Sequence, residues 1–164
     1  MEVCQNILSI TNLENEISEL LFVFDNDIPH REMMASWLED QDYKVKVFDN
    51  GELCLNCLDE NPGVICLDIN MPGLSGLEIL KQLRLANRDI AVMVITKNDT
   101  LDFAIEAMKI GAFDYLVKPV DKIRLKTNVE KAIEMHTMFT KIQRVQGELK
   151  KHTPIKILWG KANP

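Results

Sequence analysis

No apolar run in this 164-residue chain approaches the roughly 20 residues needed to cross a bilayer, so no membrane span is expected. The N-terminus carries neither a basic stretch nor an uninterrupted apolar segment, which leaves no sign of a secretory leader. Lys and Arg number 19 against 25 Asp and Glu, a formal net charge of −6, so non-specific attraction to nucleic acid or anionic lipid is not expected. Cysteine is scarce: Cys4, Cys54, Cys57 and Cys66, read as free thiols in a reducing cytoplasm. Cys54 and Cys57 form a C-x-x-C, but no second Cys or His pair is at hand to complete a zinc site. With Leu53 and Leu58 they follow helical spacing, which predicts core packing. A P-loop and a basic recognition helix are also lacking, so neither nucleotide hydrolysis nor DNA reading is expected of this segment.

What is present supports a folded domain. Hydrophobic residues make up 46% of the chain, enough for a core, and the length suits one domain plus an extension. Strand-like runs alternate with amphipathic stretches. The strands are expected at 20–24, 43–48, 63–67, 90–95 and 113–117, and the helices at 28–41, 51–60, 76–86, 99–110 and 121–150. Five such alternations imply a parallel sheet covered by helices on both faces. "YKVKVF" (43–48) alternates apolar with charged residues and so reads as an edge strand, whereas the runs at 20–24, 64–67 and 90–95 read as central. An edge second strand beside a central first one fits a flavodoxin-like, doubly wound sheet in the order 2-1-3-4-5. Asp27 with Pro29 is expected to start the first helix, Asp99 to cap the fourth and Gly111 to close it. Residues 1–19 are read as a lead-in or a short helix.

Open α/β sheets bind ligands outside the carboxyl ends of their strands. The first strand delivers Asp25, Asn26 and Asp27 there, the third Asp68, the fourth Thr96 and the fifth Lys118 followed by Pro119. Paired carboxylates suit Mg²⁺, a hard ion held by one or two carboxylates and phosphate oxygens. A carboxylate can also attack phosphorus and become an aspartyl phosphate. Asp68 is the natural nucleophile, Asp25 a metal ligand, Lys118 the counter-charge and Thr96 the hydroxyl donor. Taken singly, Asp68 could be a turn residue before Pro-Gly, Thr96 a helix cap and Lys118 a solvated lysine. The order and spacing of all of them at strand ends carry the reading.

"FVFDND", "LDINMPGLSGLEILKQLR", "VMVITKND" and "AIEAMKIGAFDYLVKP" strongly resemble the receiver domain of bacterial two-component response regulators, over roughly residues 20 to 135. The resemblance implies that a histidine kinase, a phosphotransfer protein or a small phosphodonor phosphorylates Asp68 with Mg²⁺ bound. It makes Asp25, Asn26, Asp68 and the backbone carbonyl of Asn70 the metal site, and Thr96 and Tyr115 the switch pair. It also implies a cis peptide at Lys118–Pro119, a changing face formed by the fourth helix, the fifth strand and the fifth helix, and a cytoplasmic protein that catalyses only its own phosphorylation and dephosphorylation. Two positions depart from the family pattern: Asn26 stands where a second acid is usual, and Lys97 where a small residue is usual.

Two alternatives stay open. One is a degenerate receiver acting as a binding and dimerisation module. The other is a haloacid-dehalogenase-type phosphatase using Asp25 as nucleophile and Asp27 as acid/base, although it lacks a later acidic pair and leaves Asp68 unexplained.

The receiver is expected to end near residue 132, with a helical linker over 133–152 and a tail over 153–164. Met135, Met138, Ile142, Val145 and Leu149 are spaced 3, 4, 3, 4, a seam of about two heptads that predicts a homodimer through this helix. Receiver plus extended helix is similar to the start of NtrC-type transcription activators, which suggests a fragment of a larger regulator.

Overall fold

The computed structural model describes residues 20–71, 73, 75–86, 89–97 and 101–152. The lead-in, the Asp99 cap and the tail lie outside them. The elements in chain order are β1 (Leu20–Phe24), α1 (Ile28–Glu39), β2 (Lys44–Phe48), α2 (Gly51–Asn56), a 3₁₀ turn (Leu58–Glu60), β3 (Val64–Asp68), α3 (Gly76–Leu85), β4 (Ala91–Thr96), α4 (Leu101–Ile110), β5 (Asp114–Val117) and α5 (Lys122–His152). The strands pair in parallel in the order β2-β1-β3-β4-β5, the flavodoxin-like arrangement expected from the sequence.

Strand alternation splits the core into two layers. Phe22, Phe24, Ile65, Leu67, Val92 and Val94 face Ile79, Leu80 and Leu83 of α3 and Ala107 of α4. Leu21, Val23, Val64, Cys66, Met93 and Ile95 face Met34 and Leu38 of α1 and Leu125, Val129 and Ala132 of α5. Every residue of β3 and β4 is buried, which is why these strands read as unbroken apolar runs. On β2, Lys44, Lys46 and Val47 are exposed, and Lys46 pairs with Glu60, as an edge strand permits. Burial pushes the Cys66 thiol up to about 12, so it packs as an inert hydrophobe.

The helix ends follow local chemistry. The Asp27 side chain accepts the His30 N–H at 3.3 Å, with Pro29 in the first turn of α1. Ser75 caps α3 by accepting the Glu78 N–H at 3.2 Å. Gly111 closes α4 at φ +116°, a left-handed conformation that favours glycine.

The second helix departs from expectation. It stops at Asn56 and tightens into the 3₁₀ turn, so the apolar phase shifts. Leu53, expected inside, is exposed, while Leu58 is buried and Leu55 and Cys57 are half-buried against the core. Cys57 is a free thiol. The Cys54 side chain lies outside the described residues.

Gly76 brings the start of α3 onto the loop that follows β3. A Cβ there would stand 2.5 Å from Ile69 Cα and 2.9 Å from the Asp68 carbonyl oxygen, so backbone would have to move. At Gly147, inside α5, a Cβ would meet nothing within 4 Å. Gly76→Ala is therefore expected to cost about 1–3 kcal/mol. Gly147→Ala is expected to be neutral or to stabilise by up to about 1 kcal/mol. Urea unfolding checks both: the midpoint should fall only for the first, at unchanged slope.

Candidate functional site

Parallel strands end together, so the residues one step past each strand meet at one rim. Asp25 follows β1, Asp68 and Thr96 close β3 and β4, and Lys118 follows β5. Asp25, Asp68 and Thr96 have no exposed surface, unusual for two carboxylates and a hydroxyl, and each must therefore be partnered. The partner of both carboxylates is Lys118. Its Nζ lies 2.8 Å from Asp25 Oδ2 and 3.0 Å from Asp68 Oδ2. Its backbone N–H donates to the Thr96 carbonyl at 2.8 Å, which ties the lysine to the end of β4. The Lys118–Pro119 peptide is cis.

Backbone amides fix the remaining carboxylate oxygens. Asp25 Oδ1 accepts the Asp27 N–H at 2.9 Å, and Asp68 Oδ1 accepts the Asn70 N–H at 2.8 Å. The Asn70 side-chain amide donates to the Thr96 hydroxyl at 3.3 Å, linking the third strand end to the fourth. Asn26 is exposed beside Asp25. Tyr115 pairs with Val94, two residues below Thr96, and is half-buried on the layer that includes Ala107 of α4.

The electrostatics follow from this sharing. Burial by itself would raise the Asp25 carboxyl. The contacts with His30, Lys118 and the Asp27 N–H outweigh it and hold Asp25 well below the usual carboxylate range. Burial would likewise lower the Lys118 ammonium, but its contacts with Asp25 and Asp68 push it up. By formal charge, two carboxylates stand against one ammonium, which leaves one negative charge over. Among the described residues no three His, Cys, Asp or Glu side chains form a metal cage. Two carboxylates with neutral oxygens and a residual negative charge fit Mg²⁺, which keeps several waters and rarely takes an all-protein cage.

Several residues named from the sequence do not join this rim. Asp27, the acid/base of the phosphatase alternative, is used as the cap of α1. Met135, Met138, Ile142, Val145 and Leu149 lie on α5 beyond its last fully buried residue, Ala132, and are each at least half exposed. Met135 and the neighbouring Phe139 border a groove with Ile90, Ala91, Ala112 and Phe113, at the starts of β4 and β5, the opposite edge of the sheet.

Two residues that carry no sequence assignment touch Asp25. His30 Nδ1 is 2.6 Å from Asp25 Oδ2, and Arg31 Nη1 donates to the Asp25 carbonyl at 2.8 Å. The signal was there: a helix capped at Asp27 carries its third and fourth residues back over the strand end that precedes it.

A five-stranded parallel sheet with two carboxylates, a hydroxyl and a lysine at one rim defines a class of α/β domains with an acidic site. The family model described as the response regulator receiver domain matches residues 21–130, and the chain belongs to that family. It is 30% identical to the transcriptional regulatory protein FixJ of Bradyrhizobium diazoefficiens, across 79% of this chain and 63% of FixJ. It is 36% identical to the DNA-binding transcriptional regulator NtrC of Escherichia coli K12, across 70% of this chain but only 24% of NtrC. The chain thus spans less than two thirds of either relative. The receiver domain of NtrX from Brucella abortus superposes with a TM-score of 0.66 at 26% identity, over 70% of this chain and 98% of that one.

A pH dependence follows from Asp25. Its folded carboxyl titrates below the ordinary 3.8, so between the two values the unfolded chain binds the extra proton. The stability it contributes is complete above the ordinary value and is lost as pH falls through the folded one. Urea midpoints measured from pH 7 down to pH 2.5 should drop below about pH 4. They should drop more steeply for the parent than for Asp25→Asn, which has no such proton to bind.

Proposed function

We propose that this chain is a phosphoacceptor switch in a two-component relay, with Asp68 as the acceptor. The observation that carries the reading is the Lys118 ammonium bridging Asp25 and Asp68 within 3.0 Å at a buried strand-end rim. An oxygen of the Asp68 carboxylate attacks phosphorus of a phosphohistidine on a kinase or phosphotransfer protein, or of a small acyl phosphate. The bond from phosphorus to the donor breaks, the donor keeps that electron pair, and Asp68 becomes an acyl phosphate. Lys118 balances the charge on the transferred oxygens, and the Thr96 hydroxyl donates to one of them. Asp25, Asp68, the Asn70 carbonyl and the Asn26 side-chain oxygen would hold Mg²⁺, which supplies further charge neutralisation at the phosphoryl group. Asn26 brings no charge of its own to that set.

The same reading supplies a switch. Thr96 leaves its contact with Asn70 to meet the phosphoryl oxygen, and Tyr115 moves into the space it vacates. The face that responds is formed by α4, β5 and α5, where Leu101, Ile105 and Met108 are exposed. Like FixJ and NtrC, whose names describe transcriptional regulators, the chain would then control transcription through a partner or an attached output domain.

Treatment with acetyl phosphate should add one phosphoryl group by mass. Chelation of Mg²⁺ with EDTA should prevent it, and Asp68→Asn should abolish it. No adduct from the parent with acetyl phosphate or phosphoramidate, and no beryllofluoride complex, would favour the phosphorylation-independent binding module, for which Asn26 in an acid position is the supporting observation.

The α5 extension is proposed as a dimer helix. Met135, Met138, Ile142, Val145 and Leu149 leave 50–64% of their surface exposed. Burying an apolar side chain is worth about 1.5–3 kcal/mol. Ordering and association costs offset much of that, so micromolar affinity at most is expected. Sedimentation equilibrium should find a dimer for the parent and a monomer for Ile142→Glu, which sets like charges face to face. A parent that is monomeric at high micromolar concentration leaves α5 as a linker only.

A further inference from the structure

His30 is the imidazole that stands against the carboxylate pair, and nothing in the phosphoacceptor scheme uses it. Its ring belongs to the first turn of α1, and Asp27 fixes that turn by capping the His30 N–H. Nδ1 lies 2.6 Å from Asp25 Oδ2. An ionised carboxylate only accepts, so Nδ1 carries the proton and donates it. That oxygen also takes Lys118 at 2.8 Å, while Oδ1 takes the Asp27 N–H at 2.9 Å. With Arg31 on its backbone carbonyl at 2.8 Å, Asp25 is held by α1 from both ends.

The other ring nitrogen points to function over stability. His30 Nε2 is buried and finds no hydrogen-bond partner among the described residues. Burying an imidazole nitrogen unpaired is unfavourable, and an apolar side chain of the same size would fill this space at lower cost. The ring's contribution is therefore the Nδ1–H bond to Asp25. An imidazole that donates to a ligand carboxylate fixes the orientation of that carboxylate, and such outer contacts govern ion affinity strongly. With an uncharged amide at Asn26, Asp25 and Asp68 supply all the carboxylate charge at the rim, so the placement of Asp25 matters more.

We infer that His30 is a positioning residue that sets the divalent-cation affinity of the site by orienting the Asp25 carboxylate. This rests on the reading of Asp25 and Asp68 as the cation-holding pair.

Calorimetric titration of the full chain with Mg²⁺ tests it, using the parent, His30→Leu and His30→Asn, with thermal unfolding in the absence of Mg²⁺ beside each. His30→Leu keeps the volume and removes both nitrogens. It should leave the melting temperature unchanged or raised while weakening Mg²⁺ binding roughly tenfold or more. His30→Asn places an amide nitrogen near the position of Nδ1 and should restore most of the affinity. The inference is overturned if His30→Leu binds Mg²⁺ as well as the parent or better, the latter meaning that the ring competes with the ion for Oδ2. It is equally overturned if both variants lose affinity alike in step with stability, which marks a packing role. A folded parent that binds no Mg²⁺ overturns the reading of the carboxylate pair itself, a result distinct from an unaffected His30→Leu variant.

Discussion

Two carboxylates without exposed surface share one ammonium, and the arrangement around them exists to keep that sharing possible. Asp25 and Asp68 sit at the ends of adjacent central strands, where water cannot solvate them. Lys118 reaches both from beyond β5, at the far edge of the sheet, because Thr96 at the end of β4 holds its backbone. Breaking a buried ion pair by removing one partner ordinarily costs about 3–5 kcal/mol, since the other charge is left stranded. The apolar strands below, the cap at Asp27 and the amides of Asp27 and Asn70 all serve to hold these charges in register.

The residual negative charge of the trio links stability to chemistry. A site that is fully neutral at rest would attract a divalent cation less strongly, and one with two unpaired carboxylates would strain the fold. One lysine between two acids leaves the core tolerable and the rim still attractive to a positive ion. The Asn70–Thr96 contact sits beside this balance and gives the proposed switch a resting position to leave. At the opposite end of the strands, α5 carries its exposed apolar stripe, so the carboxylate rim and the proposed dimer helix lie apart.

Much of this was legible in the residues because local rules and global fold agree. The apolar run Val64–Leu67 ending on Asp68 reads as a buried strand that presents a carboxylate, and period-two alternation in residues 43–48 reads as an edge. The cap at Asp27 followed from its side-chain carboxylate and the helix end at Gly111 from its backbone freedom, both local features. Leu53 did not follow: helical spacing places it inside, but a helix of fewer than two turns that tightens at its end shifts phase, and no local pattern announces that.

The sequence by itself determined the alternation of strands and helices, the edge position of β2 and the polar residues at the strand ends, because each depends on hydrophobic period and chain direction alone. Tertiary structure decided what those residues do to one another. Lys118 is 50 residues from Asp68, and only the closing of β5 beside β4 brings its ammonium within 3.0 Å of that carboxylate. His30 takes its role only from the packing of α1, which turns its ring onto Asp25. Contacts of that kind depend on the angle at which one element meets another, and that angle is set by the whole core and not by any stretch of sequence.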